Sequence, residues 1–137
     1  MAGRFLAIYH WKGFGRLFEK NAGDYDGNRD SQNTCYVRTL RPRVWIGQSW
    51  SSDHPDHNVL RRLLSEELYP GNRALFATAM LPSAKVVIGP LTGRYAGDQG
   101  HIVVRVTNVG SNYDIFVLNS LSEEREVLKK FGPYESR

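Results

Sequence analysis

Three β-like runs dominate the second half of the chain: Lys85-Val-Val-Ile-Gly89, His101-Ile-Val-Val-Arg-Val-Thr107 and Tyr113-Asp-Ile-Phe-Val-Leu118. In the middle run Ile102, Val104 and Val106 share one side, and His101, Val103, Arg105 and Thr107 the other, the alternation of a strand with one face on a core. Gly3–Trp11 reads as a further strand with apolar residues on both faces, which suits a strand covered on both sides. Cys35–Leu40 and Arg43–Ser49 read as two strands meeting at Arg41-Pro42, where proline removes a ladder donor. Asn72–Leu81 alternates Leu75, Ala77, Ala79 and Leu81 and is also assigned to a strand.

Two segments have the helical period. From Pro55 to Leu68, Val59, Leu60, Leu63, Leu64 and Leu68 form an apolar stripe and Arg61, Arg62, Glu66 and Glu67 face water. Asp53 or His54 stands near the cap, and Pro70-Gly71 ends the element. Ser120-Leu-Ser-Glu123 has the spacing of a capping box. It is followed by acidic residues, then Lys129 and Lys130, then Gly132-Pro133, which predicts a second helix with Leu121, Leu128 and Phe131 on its packed side. Phe14–Lys20 fits a short helix or turn, and Asn21–Thr34 a polar loop. The expectation is an α+β domain: a twisted, mostly antiparallel sheet of about six strands with two principal helices.

Composition narrows the picture only a little. A chain of 137 residues, 41% hydrophobic, suits one domain over residues 1–137. Its net charge of +4 admits anionic partners such as nucleotide, nucleic acid or a membrane surface. Cys35 is the single cysteine, which excludes an intramolecular disulfide and a multi-cysteine zinc site. No run reaches the roughly 18 apolar residues of a membrane-spanning helix, and no leader pattern stands at the start. The expected location is therefore soluble, either cytoplasmic or reached by a dedicated secretion route.

Candidate chemistry is scattered. His54 and His57 stand three apart beside a helix start, which suits either a surface pair or two ligands, but no His-Glu-x-x-His accompanies them. Ser49-Trp-Ser-Ser52 offers hydroxyls without a Gly-x-Ser-x-Gly elbow. Cys35 would need an electropositive setting to act as a nucleophile. Arg38, Arg41 and Arg43 alternate with Tyr36 and Trp45, either a solvated edge or a surface for bases and phosphates. In Tyr95-Ala-Gly-Asp-Gln-Gly-His-Ile-Val-Val104 a glycine-framed loop enters a strand, with Gln99 and His101 on the same side if the strand has begun by then.

The order of these parts resembles the ADP-ribosyltransferase and NAD-glycohydrolase toxin superfamily. The resemblance matches Arg4 to the family's dinucleotide-contacting arginine, Ser49-Trp50-Ser51-Ser52 to its serine motif, and Gln99-Gly100-His101 to the place of its Glu-x-Glu. It implies NAD as substrate, with Gln99 and His101 catalytic and Arg4, Ser49 and Ser51 binding the nucleotide. Glutamine and histidine replace the two glutamates.

Two other classes fit the sequence. One is a basic ribonuclease-type toxin or RNA-binding domain, with His54, His57 or His101 moving protons while Arg38, Arg41, Arg43 and Lys85 neutralise phosphate. The other is a protein-binding module of inhibitor or immunity type, presenting Trp11, Trp45 or Trp50 to a cognate partner.

Overall fold

A computed structural model describes residues 6–8, 33–49, 52 and 54–135. The chain combines helices with two sheets. A four-stranded parallel sheet has the order β1-β2-β3-β4, from Leu6–Ile8 (β1), Val44–Gly47 (β2), Ala74–Ala77 (β3) and Tyr95–Gly97 (β4). A three-stranded antiparallel sheet has the order β5-β6-β7, from His101–Thr107, Asn112–Leu118 and Val127–Glu135. Helices α1 (Thr34–Leu40), α2 (His57–Leu64) and α3 (Pro82–Ile88) occupy the connections between parallel strands. A 3-10 segment, Gly89–Arg94, leads from α3 into β4.

Strand neighbours in the parallel sheet are also neighbours in sequence, so every crossover of one hand returns over the same face. The packing follows that rule. Trp45 of β2 and Leu75 and Ala77 of β3 pack with Val37 of α1, Val59, Leu60 and Leu63 of α2, and Ala84 and Ile88 of α3. The alternate residues, Val44 and Ile46 of β2 and Phe76 of β3, meet Tyr113, Ile115 and Val117 of β6. The described residues thus form three layers, with the parallel sheet in the middle. Two-sided burial explains why Val-Trp-Ile and Ala-Leu-Phe-Ala read as continuous apolar runs.

Helix α2 starts on Asp56, whose carboxylate accepts from the Asn58 amide at 2.7 Å. The cap is therefore Asp56 rather than Asp53 or His54. The helix stops at Leu64, short of the expected Leu68. Arg73 closes its end: the buried guanidinium donates to the Leu63 and Ser65 carbonyls at 2.8 and 3.2 Å and to Glu66 at 2.8 Å, and lies 4.5 Å from the centre of the Tyr69 ring. A cation there satisfies carbonyls the helix leaves free.

The single, mostly antiparallel sheet expected from the sequence is replaced by two sheets, because three segments take other forms. Lys85–Gly89 is the end of α3, not a strand. Pro82 occupies the first turn and Ala84 and Ile88, four apart, are buried, while Val86 and Val87 are both solvent-exposed. Cys35–Leu40 is α1, not a strand. Asn33 caps it by accepting from the Tyr36 amide at 2.9 Å, and Arg41 ends it in the left-handed conformation at φ 43°. The expected C-terminal helix is instead a turn followed by β7. Asn119 accepts from the Leu121 amide and Ser122 from the Glu124 amide, at 2.9 and 3.2 Å. These side chains hold the backbone in turns that compete with a helix, and Leu121 is left exposed. The expected strands at Arg43–Ser49 and Asn72–Leu81 appear as the shorter β2 and β3, and those at 101–107 and 113–118 as β5 and β6. The assignments for Phe14–Lys20 and residues 21–32 fall outside the described residues.

Phe76 ties the two sheets together: it is buried on β3, an inner strand of the parallel sheet, and meets Phe131 of β7 edge-on, with ring centres 5.1 Å apart. Phe76→Ala is expected to lower unfolding free energy by about 3–5 kcal/mol in urea denaturation. Gly100, where the chain passes from one sheet to the other, has φ 126°, and a Cβ there would press on the Leu118 carbonyl oxygen and lie 2.9 Å from Val117 Cγ1. Gly100→Ala is expected to cost about 1–3 kcal/mol or more in the same measurement.

Candidate functional site

The carboxyl ends of β2, β3 and β4 converge on one edge, and the segments leaving them are tied together by hydrogen bonds through Thr78. The Ser49 amide donates to Thr78 Oγ1 at 3.2 Å, the Thr78 amide to the Gly47 carbonyl at 3.2 Å, and the Gly100 amide to the Thr78 carbonyl at 2.8 Å. The Met80 amide donates to the Asp98 carbonyl at 2.9 Å, and Ala79 bridges Gln99. Backbone groups that a sheet edge would expose are thereby paired.

Two depressions flank this Thr78 tie. The first, between β2 and the start of α2, has a volume of about 60 Å³ and is mostly apolar, lined by Trp45, Ser49, His54, Val59, Phe76 and Tyr95 among others. Ser49 is 2% exposed, and neither its Oγ nor the Trp45 Nε1 has a hydrogen-bonding partner among the described residues. Burial pushes the Tyr95 phenol well above its ordinary range.

The second, of about 310 Å³, opens between the β4–β5 junction and the β6–β7 turn, and is lined by Gly97, Asp98, Gln99, Gly100, Val117, Asn119, Ser120, Leu121, Leu128 and Lys129. That volume is at the lower end for a small-molecule site. Its polar lining comes from the chain ends of two sheets. The Asp98 carboxylate accepts from Lys85 Nζ, reached from α3. Chiefly this bond, against opposition from partial burial, holds its carboxyl below the usual carboxylate value, so Asp98 is ionised at neutral pH.

Of the residues expected from the sequence, Ser49 and Gln99 reach the same edge of the parallel sheet but line different depressions. They are separated by the β3 end, two strand spacings or roughly 10 Å. Gln99 and His101 do not share a cleft. The two-residue alternation does not run across Gly100, which turns the chain, and His101 opens β5 opposite Leu118. Arg4 and Ser51 lie outside the described residues. Leu6, the first described residue of β1, is at the opposite, amino edge of that sheet, in register with Val44.

His54 is buried against the small pocket, whereas His57 begins α2. Trp45 is buried and packs with Tyr36, ring centres 6.2 Å apart, so it presents no surface to a partner. Trp11 and Trp50 lie outside the described residues. Arg41 turns back to the Arg38 carbonyl at 2.8 Å, and Arg43 lies over the Tyr134 ring at 5.1 Å. The basic cluster read around Tyr36 and Trp45 is therefore dispersed.

Lys85 and Asp98 were not singled out as partners from the sequence. The available signal was an acid beside Gln99 in a glycine-framed loop, but pairing it with Lys85 required placing 82–88 on a helix. Among the described residues, no group of three or more His, Cys, Asp or Glu could hold a metal ion, and no helix is long and apolar enough to cross a membrane. Comparison with protein-family models, curated proteins and solved structures finds no match to this chain.

The depressed Asp98 carboxyl gives the ion pair a defined acid limit. Its contribution to stability is present above the ordinary value of 3.8 and is lost as pH falls through the lowered folded value. Asp98→Asn is expected to flatten that part of the acid-unfolding profile relative to the parent chain. Titration of the Asp98 side-chain carbon signal by NMR should show a midpoint below that of an exposed aspartate, and Lys85→Met should return it upward.

Proposed function

We propose that this chain is an NAD-consuming effector domain that binds the ribose end of the dinucleotide in the larger cleft and breaks the nicotinamide–ribose bond. The observation that carries the reading is an ionised carboxylate, Asp98, adjacent to the Gln99 amide in a cleft large enough for one nucleoside-sized group. As the C1′–N bond lengthens, the electron pair leaves with nicotinamide, neutralising its ring nitrogen, and positive charge builds on the ribose. Asp98 offsets that charge, in place of the acidic pair the resemblance would place at 99 and 101. Gln99 holds a ribose hydroxyl and Lys129 faces a phosphate. Water then bonds to C1′, its surplus proton passing to solvent, and the products are nicotinamide and ADP-ribose.

In this reading Ser49 is a supporting residue, holding the Thr78 tie that shapes the edge through its backbone amide. The dinucleotide contacts that the resemblance gives to Arg4 and Ser51, and a cognate target or immunity protein as partner, belong to the same proposal.

The test is loss of NAD with time under purified protein, followed by chromatography of nicotinamide. Asp98→Asn and Gln99→Ala are each expected to lower kcat by about 100-fold or more, with melting temperature checked alongside, while Ser49→Ala leaves turnover within a few-fold. No nicotinamide release, or release indifferent to both cleft substitutions, overturns the proposal.

A further inference from the structure

The antiparallel sheet has one face in the core and one face open. Ile102 and Val104 of β5, Tyr113, Ile115 and Val117 of β6 and Phe131 and Tyr134 of β7 point inward. By alternation, His101, Val103 and Arg105 of β5, Phe116 of β6 and Lys130 of β7 are on the other side, where β5 and β7 flank β6.

At the centre of this open face is Phe116. The Arg105 guanidinium lies 5.0 Å from its ring centre and Lys130 Nζ 5.7 Å. Both cations converge on one carboxylate: Arg105 Nη2 is 3.2 Å from Asp114 Oδ2 and Lys130 Nζ 3.6 Å from Asp114 Oδ1. The Asp114 side chain is only 8% exposed, whereas those of Arg105 and Lys130 are 59% and 50% exposed. One buried negative charge thus positions two outward positive charges, and the face carries a net cation above an aromatic ring.

We infer that this face binds single-stranded nucleic acid, with bases stacked on Phe116 and on the Arg105 guanidinium and with phosphates paired to Arg105 and Lys130. The chemistry recommends that occupant over others. A stacking surface between fixed cations spaced along strands suits a polymer alternating flat rings with phosphates. Val103 on β5 supplies an apolar margin at 42% exposure. The other acids of this sheet are at its margins: Glu123, Glu124 and Glu126 precede or border β7 at the β6–β7 turn, and Glu135 ends β7 opposite Asn112, away from Phe116. Nothing in this inference depends on NAD chemistry, because no residue carrying it lines the Asp98 cleft.

The experiment is fluorescence anisotropy of a labelled oligouridine of about a dozen nucleotides, a length within the site sizes of stacking platforms, titrated with the full chain over a salt series. The parent is expected to bind, more tightly at low salt, and to prefer the single strand to a duplex of equal length. Phe116→Leu, which keeps an apolar side chain and removes the ring, should weaken binding about tenfold with the salt slope unchanged. Arg105→Gln with Lys130→Gln should lower the slope of log affinity against log salt by about 1.4, roughly 0.7 per lost phosphate contact. Arg38→Gln with Arg61→Gln, on the helical side, should leave affinity within twofold. Absence of binding at low salt, equal affinity for duplex, or equal loss from the helical-side pair overturns the inference. NAD turnover in the Phe116 and Arg105 variants should match the parent, so failure here and failure of the NAD reading are separable.

Discussion

Two-sided burial of β2 and β3 is the constraint from which the rest of the described structure follows. A strand whose successive residues are Val44, Trp45 and Ile46, all nearly inaccessible to water, must be covered on both faces by something. Sequential strand order places all the crossing helices on one face. The second face must then be closed by chain that comes after the parallel sheet is complete, and β5–β7 does this. Phe76 is where the demand is sharpest, because its ring belongs to the second layer while Leu75 and Ala77 on either side belong to the first.

The same constraint decides where polar chemistry can gather. Parallel sheets commonly bind ligands where strand order reverses and a crevice opens beyond the carboxyl ends. Here β1 to β4 never reverse, so the parallel strands alone make no such crevice. The larger cleft arises instead where the chain leaves the parallel sheet at β4 and enters the antiparallel one at β5. Gly100 permits the passage because its backbone lies against Leu118 with no space for a side chain. The resulting wall is polar on a short stretch, and the Lys85 ammonium, delivered by α3, fixes the charge state of Asp98 within it. A residue of the helical layer thereby sets the electrostatics of a cleft between two sheets.

Much of the second sheet was legible in the sequence because β5 and β6 have one wet face, and alternation is the visible mark of that situation. The Val59–Leu63 stripe of α2 was legible for the corresponding reason. Elsewhere the local pattern pointed one way and the tertiary need another. Val86 and Val87 favour a strand by their branching, yet the segment must cross over between parallel strands, and Pro82 with the Ala84–Ile88 stripe makes it helical. Tyr36 and Val37 raise the same difficulty in α1. At 120–131 the capping spacing was present, but the Asn119 and Ser122 side chains are used for turns, and β6 offered a free edge that β7 completes. Of the candidate site, the position of Gln99 in a loop beyond a strand was readable. Its separation from His101 was not, since it depends on one glycine having positive φ.

Asp114 bears on what the open face is for. Its carboxylate is nearly buried, and burying a charge beneath two cations gains little over a well-packed apolar residue of similar size, because desolvation offsets most of the attraction. A leucine at 114 would fill the same space, but it would leave Arg105 and Lys130 free to extend into solvent. With the carboxylate in place, both cations are held over Phe116 at defined distances and lose less conformational freedom when an anion arrives, which is how preorganisation strengthens binding. The arrangement is costly as a stabilising device and effective as a positioning one. Packing explains the inner face of the sheet; the outer face is better explained by what it holds ready.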